Sequence, residues 1–369
     1  MTPTNLAAVA VAPGRTELRE FPLPEIPPDG GLLEVEATGV CGSDWGYYQK
    51  YPAQRGPLIL GHETVGRVVR LGREAAARWG LEEGDRIALE EYIPCGHCDY
   101  CRSGDFRLCD QTELRPGTLR YGSTPISVAP ALWGGYSQYQ FLHPSAVFHR
   151  VPEHVSATQA ALALPLGNGF EWTYLQGGVR VGETVLIQGP GQQGLACVIA
   201  AREAGAGMII VTGLGNPTDA FRLALAQKLG AHHTINIEAQ DLLETVADLT
   251  HGRMPDLVVD CASGGPVTVL SAVQLARKSG RVILGGQKGK AIPDFPSDHL
   301  IQKFLTLKGM RGHSYQSVEL ALKLIASGRY PLEALSTHQF RLAETDEALH
   351  TLVGQGRPNP IHCTVYPWK

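Results

Sequence analysis

Four cysteines lie within fifteen positions of one another: Cys95-Gly-His-Cys98-Asp-Tyr-Cys101, then Cys109 after seven intervening residues. A CxxC turn can direct two sulfurs at one ion, and Zn²⁺ favours tetrahedral thiolate coordination. Cys95, Cys98, Cys101 and Cys109 together close a four-sulfur site with no open position, which predicts a structural zinc that fixes a loop. A disulfide cluster is the alternative. Upstream, Cys41, His62 and Glu63 offer a thiolate, an imidazole and a carboxylate. A mixed set of this kind leaves room for water or substrate, so it predicts a second zinc that does chemistry.

A third motif is Gly189-Pro-Gly191-Gln192-Gln193-Gly194. It follows the apolar run Thr184–Gln188 and opens an apolar stretch at Leu195–Ala204. Between a strand and a helix, such a loop cradles a pyrophosphate. Gly189 makes the turn, Gly191 lets the phosphates approach the backbone, and Gly194 lets helix and strand pack. The phosphates then rest on the helix N-terminus. An acid about 20 positions on ordinarily holds the ribose of NAD. Here the second strand ends Thr212-Gly213-Leu214-Gly215-Asn216, with Gly213 where the acid is expected. No carboxylate stands there to repel a 2′-phosphate, and no base follows at once to bind one. Arg222 is the nearest cation, and Asn216 is placed to meet a ribose hydroxyl. The balance favours NAD, with NADP as the alternative.

The elements that must position these residues differ along the chain. With 369 residues, two domains are expected. Hydrophobic residues make up 43% and charged residues 18%, a globular balance. A formal charge of −4 gives no basic face for nucleic acid. Eight cysteines, several in apolar runs, suit a reducing compartment. Met1–Val11 shows no basic segment followed by a long apolar run, and no stretch nears the ~18 apolar residues of a membrane span. A cytoplasmic protein is expected.

Residues 1–150 are β-rich in pattern, as in Leu32–Ala37 and Thr64–Val69. The segment 102–135 is irregular, with several Gly and Pro residues. From about residue 156 the texture changes. Ser156 can cap a helix over Thr158–Leu164, and apolar strands at Thr184–Gln188, Met208–Thr212, Leu257–Cys261 and Val282–Leu284 alternate with helical segments such as Phe221–Leu229. This alternation predicts βαβ units and a parallel sheet. A helix is expected over Ser317–Ala326.

Taken together, GVCGSD at 39–44, GHE at 61–63, the cysteine lobe at 95–109, PLGN at 165–168 and GPGQQG at 189–194 resemble the zinc-containing medium-chain dehydrogenases/reductases. The likeness is nearest the sorbitol and threonine dehydrogenase branch and covers essentially the whole chain. It implies an α/β protein: a GroES-like β-rich catalytic domain over 1–165 and 309–369, and a Rossmann doubly wound parallel-sheet domain over 166–308. It implies that Cys41 and His62 ligate a catalytic zinc with Glu63 as ligand or near-ligand, that Ser43 begins a proton relay, and that Asp44 orients His62. Two zinc ions, a nicotinamide cofactor, a small alcohol or carbonyl substrate and a homodimer or homotetramer follow from the resemblance.

Two positions depart from the family pattern. Leu164 stands where relatives often supply another ligand, so zinc would use Cys41, His62, Glu63 and water. Glu171 is a spare carboxylate nearby in sequence. Gly46 stands where many relatives carry a relay histidine. Trp45, Tyr47, Tyr48 and Trp133 fall where relatives border the substrate cleft and would favour a bulky apolar or ring-containing alcohol. The expected activity is zinc-dependent alcohol oxidation. A zinc-independent quinone or enone reductase, or a non-catalytic cofactor-binding protein, is the competing reading.

Overall fold

The computed structural model describes residues 4–113, 115, 117–263 and 265–369. The first three residues of the N-terminal stretch and two residues of the irregular 102–135 segment thus lie outside it. The chain divides into two compact units: Met1–Leu164 with Ser314–Lys369, and Pro165–His313.

The first unit is built on β-structure. A seven-stranded sheet runs in the order Ser336–Arg341, His362–Tyr366, Gly31–Val40, Glu63–Leu71, Arg86–Leu89 and Phe148–Arg150, with Tyr139–Leu142 also pairing Gly31–Val40. The pairings are antiparallel except that of Ser336–Arg341 with His362–Tyr366. A smaller antiparallel sheet holds Arg15–Pro22, Thr4–Ala12 and Leu58–Ile59. Gly31–Val40 outruns its predicted extent because it is central. It pairs with three strands, and its residues are buried or half-buried along its whole length. Leu32, Leu33, Leu58, Ile59, Ile87, Trp133, Tyr136 and Val365 fill the core. Between Arg102 and Tyr139 the described residues form no strand, only short 3-10 turns.

The second unit is a six-stranded, all-parallel sheet ordered His233–Asn236, Met208–Gly213, Thr184–Gln188, Leu257–Asp260, Arg281–Leu284, Thr306–Gly309. Counting strands along this unit, the order is 3-2-1-4-5-6, the Rossmann arrangement. The strands are continuous apolar runs because both faces are covered by helices; Val185, Leu186 and Ile187 are fully buried. The direction of the winding reverses between Thr184–Gln188 and Leu257–Asp260, which opens a crevice at their carboxyl ends.

Helix boundaries shift from the sequence expectation where capping residues decide them. Ser156 caps Ala157–Ala160 with Gln159 closing the box, and a separate helix follows at Ala163–Gly169. Asn216 caps Pro217–Leu229, and proline at the first helical position moves the start ahead of Phe221. Ser314 caps Tyr315–Ser327.

Candidate metal and cofactor sites

Cys41 ends the central strand and caps the helix Gly42–Arg55. The tight start of that helix brings Asp44 back under Cys41, whose backbone N–H donates to Asp44 Oδ2 at 3.0 Å. The phenol of Tyr136 donates to the same oxygen at 2.9 Å. Asp44 Oδ1 lies 3.0 Å from Nδ1 of His62, and Asp44 is fully buried. The carboxylate thus lies against Nδ1 and leaves Nε2 as the nitrogen available to a metal. Ser43 Oγ stands 3.4 Å from His62 Nε2, on the exposed side.

Glycines make this packing feasible. A Cβ on Gly61 would sit 2.6 Å from the Tyr136 ring. A Cβ on Gly39 would sit 2.3 Å from Glu63 Oε2 and 2.5 Å from His362 Nε2. The close pair that Gly39 admits is Glu63 with His362, 3.4 Å apart.

Sγ of Cys41, a ring nitrogen of His62 and a carboxylate oxygen of Glu63 all lie within 4.8 Å of one another. Burial and the Glu63 carboxylate push the Cys41 thiol up. Burial opposes charge on His62, but the Asp44 and Glu91 carboxylates outweigh it and hold the imidazole well above its usual range. Thiolate, imidazole and carboxylate, oriented from behind by a buried aspartate, are a donor set that fits zinc with one position left open. Leu164 is apolar and buried, and offers no ligand. Glu171 is fully buried and accepts from Gln176 Nε2 at 2.8 Å.

Sequence reasoning missed three groups around this site: Tyr136, His362 and the pair Glu91–Arg120. Glu91 Oε1 pairs with Arg120 Nη2 at 2.6 Å, and its Oε2 reaches 3.9 Å from His62 Nε2. None carries a local signal, since each meets the site only through the fold.

Of the four aromatics expected to border the substrate cleft, Tyr48 and Trp133 are buried and Trp45 and Tyr47 half-buried. Trp133 is buried in the core and donates to the Val128 carbonyl. Tyr48 is buried and donates to Asp346 at 2.8 Å, and Trp45 packs edge-on against His350. Tyr47 feels the charges of Arg120, Glu91 and His62 beside the site. Burial pushes its phenol up to about 12, against the pull of Arg120.

In the second cluster, Cys95, Cys98, Cys101 and Cys109 bring their sulfurs within 4.8 Å of one another. All four thiols are unbridged, with Sγ separations of 3.4 Å for Cys98–Cys101 and 3.8 Å for Cys95–Cys101. Backbone N–H groups of His97 and Cys98 pull the Cys95 thiol down to about 6. The set fits a closed thiolate zinc site.

In the parallel-sheet unit, Gly189 has φ of +94° and turns the chain out of Thr184–Gln188. A Cβ on Gly194 would lie 1.9 Å from the Gly189 carbonyl oxygen, so only glycine closes this loop. Gly191 caps the helix Gln192–Glu203, and a Cβ there would meet nothing within 4 Å. That open space at a twelve-residue helix N-terminus fits a pyrophosphate. Gln192 and Gln193 form the first turn of that helix. At the next turn, Gly213 ends its strand, Asn216 Oδ1 accepts from Asp219 N at 2.9 Å, and Arg222 Nη1 lies 3.4 Å from Asp219 Oδ1. The two side chains expected to face the ribose are therefore engaged with Asp219.

Comparison with known proteins agrees with this geometry. Residues 27–153 match the alcohol dehydrogenase GroES-like domain, and 194–327 match the zinc-binding dehydrogenase domain. A probable alcohol dehydrogenase of Mycobacterium tuberculosis is 38% identical over 98% of both chains. The chain belongs to the zinc-containing medium-chain dehydrogenase/reductase family. It is an oxidoreductase of the zinc-dependent alcohol dehydrogenase kind. An L-threonine 3-dehydrogenase of Pyrococcus horikoshii is 31% identical, over 98% of this chain and 99% of its own. Among solved structures, an alcohol dehydrogenase of Thermotoga maritima superposes with a TM-score of 0.86 at 28% identity, covering 99% of this chain and 100% of that one. A zinc-binding dehydrogenase of Sinorhizobium meliloti, solved bound to NADP, gives 0.84 at 25% identity, covering 99% and 100%.

Proposed function

We propose that this dehydrogenase oxidises a primary or secondary alcohol, and reduces the matching carbonyl, at the site formed by Cys41, His62 and Glu63. The observation that carries the reading is their mutual approach within 4.8 Å, with Asp44 Oδ1 3.0 Å behind His62 Nδ1. A zinc ion bound there supplies Lewis acidity that brings an alcohol hydroxyl into the neutral pKa range, and the nicotinamide supplies the hydride acceptor.

The chain's own groups do the rest. Asp44 keeps His62 in the tautomer that offers Nε2, and Tyr136 and the Cys41 amide hold Asp44 in place. His362 Nε2 stands 3.4 Å from the Glu63 carboxylate. Ser43 Oγ takes up the proton that leaves the substrate. Because Ser43 is exposed, it can pass that proton to water, and a histidine at position 46 is not required. Gly189, Gly191 and Gly194 shape the pyrophosphate seat. The cysteine lobe holds its own loop and takes no part in the reaction.

NAD is the coenzyme this reading favours, since Arg222, the cation of the helix that follows the second strand, is drawn to Asp219. A homodimer or homotetramer is the proposed assembly. Ile301 and Phe304, 71% and 77% exposed, flank the edge strand Thr306–Gly309 and suit a covered surface. A cytoplasmic setting is supported by eight unbridged cysteines. No described helix is long and apolar enough to cross a membrane.

The test is a panel of primary and secondary alcohols assayed with NAD and with NADP, before and after metal chelation. Chelator-sensitive reduction of nicotinamide is the expected result. Turnover of a quinone or enone that survives chelation would support the zinc-independent reading instead.

A further inference from the structure

The second parallel strand ends without the acid that a ribose ordinarily meets, and a side chain at Gly213 would be crowded. A Cβ there would lie 3.0 Å from Pro190 Cγ and 3.2 Å from Leu223 Cδ1. Pro190 of the glycine loop or Leu223 of the following helix would have to give by a few tenths of an ångström.

A carboxylate reaches the same turn from another strand. Glu238 lies two residues beyond His233–Asn236, the strand paired in parallel with Met208–Gly213. Its Oε2 accepts from the Gly215 amide at 2.7 Å. Glycine at 215 is what admits it, since a Cβ there would lie 2.7 Å from that oxygen. Glu238 is exposed, and its Oε1 makes no hydrogen bond among the described residues. The turn's other polar groups are spent. Asp219 Oδ2 accepts from Leu214 N at 2.8 Å, Asn216 caps the helix, and Arg222 faces Asp219.

Resting on the dinucleotide reading above, we propose that Glu238 is the coenzyme-specificity residue of this chain, its free oxygen accepting the adenosine ribose 2′-hydroxyl. An ionised carboxylate only accepts, so it suits a hydroxyl donor. A 2′-phosphate in that place would meet two carboxylates, Glu238 and Asp219, against one guanidinium already paired. The acid has moved from the end of the second strand to the end of the third, and Gly215 replaces the lost side chain with room.

The experiment measures binding of NADH and of NADPH to the intact zinc-loaded protein by nicotinamide fluorescence, in wild type and Glu238→Gln. Wild type should bind NADH more tightly than NADPH. The glutamine variant should melt like wild type and lose about tenfold of that preference, the size of one charge-assisted hydrogen bond at an exposed position. A wild type that binds NADPH as tightly as NADH, or a ratio unchanged by the substitution, overturns the proposal alone. Failure of wild type to bind either nucleotide overturns the dinucleotide reading and this proposal with it.

Discussion

Tyr136 donates its phenolic hydrogen to Asp44 Oδ2 at 2.9 Å, while Asp44 Oδ1 stands 3.0 Å from Nδ1 of His62. One residue beyond the cysteine lobe therefore aims the imidazole of the candidate metal site. Burial and the Asp44 carboxylate push the Tyr136 phenol well up, so it stays a donor throughout the working pH range.

Tyr136→Phe should leave a buried carboxylate short of one hydrogen bond. The expected cost is about 1–3 kcal/mol of stability. Zinc affinity at Cys41 and His62 should fall by about 10- to 100-fold, as for other groups that orient a ligand. Melting and zinc titration check both. Wild-type zinc affinity in the variant would remove Tyr136 from the site.

Ser43→Ala should cut turnover by about 10²-fold or more, the usual range for a positioned proton-transfer group. The side chain is exposed, so the melting temperature should hardly move. Undiminished turnover across the pH profile would end the relay assignment.

Cys98→Ser removes a sulfur that lies 3.4 Å from Cys101 Sγ. The protein should keep one zinc of two and melt at a clearly lower temperature, because structural zinc contributes folding free energy directly. A variant that retained both ions and the wild-type melting temperature would contradict a closed four-sulfur site.

His149 makes a pH prediction possible away from the metal. It is fully buried between Glu90, 3.0 Å away, and Glu319, 2.6 Å away, with the Tyr315 ring tilted against it. Burial opposes its charge, yet hydrogen bonds to Glu319 and Glu90 raise its pKa, while the bond to His149 lowers that of Glu319. The raised histidine stabilises fully below its unfolded pKa of ~6.5, and that stability is lost as pH rises through the folded value. The depressed glutamate stabilises above its unfolded pKa of ~4.3 and loses this as pH falls through its own folded value. Glu319→Gln should therefore cost most between about pH 4.5 and 6.5, and less at higher pH. Glu319 is 37% exposed, so screening holds the cost near ~1 kcal/mol. Melting temperatures of both proteins across pH 5–9 test it, and a gap that widens with alkalinity would reverse the sign.

The legible part of the fold was local. GVCGSD, GHE, the cysteine lobe and GPGQQG each place their donors within one turn or loop, so type and spacing carry the chemistry. The strand Thr184–Gln188 was readable from end to end because a buried parallel strand is an unbroken apolar run between turn residues. What sequence could not supply is contact across the fold. Tyr136 meets Asp44 from 92 positions away, and Arg120 meets Glu91 from 29. Nor does sequence say which way an aromatic points. Tyr48 and Trp133 resemble pocket residues by position, but their polar atoms are satisfied inside the core. Gly213 suggested a missing ribose contact, and only the adjoining strand shows Glu238 at that turn.

Cys41, His62 and Glu63 should hold a zinc ion that the reaction requires. The most direct measurement is zinc per chain together with alcohol-dependent nicotinamide reduction, in wild type and Cys41→Ser. Wild type should carry two zinc ions, one for each cluster, and the variant should carry one, with turnover lost and the melting temperature near wild type. A Cys41→Ser protein that holds a single zinc and still oxidises the alcohol at the wild-type rate would rule out a catalytic zinc at this cluster.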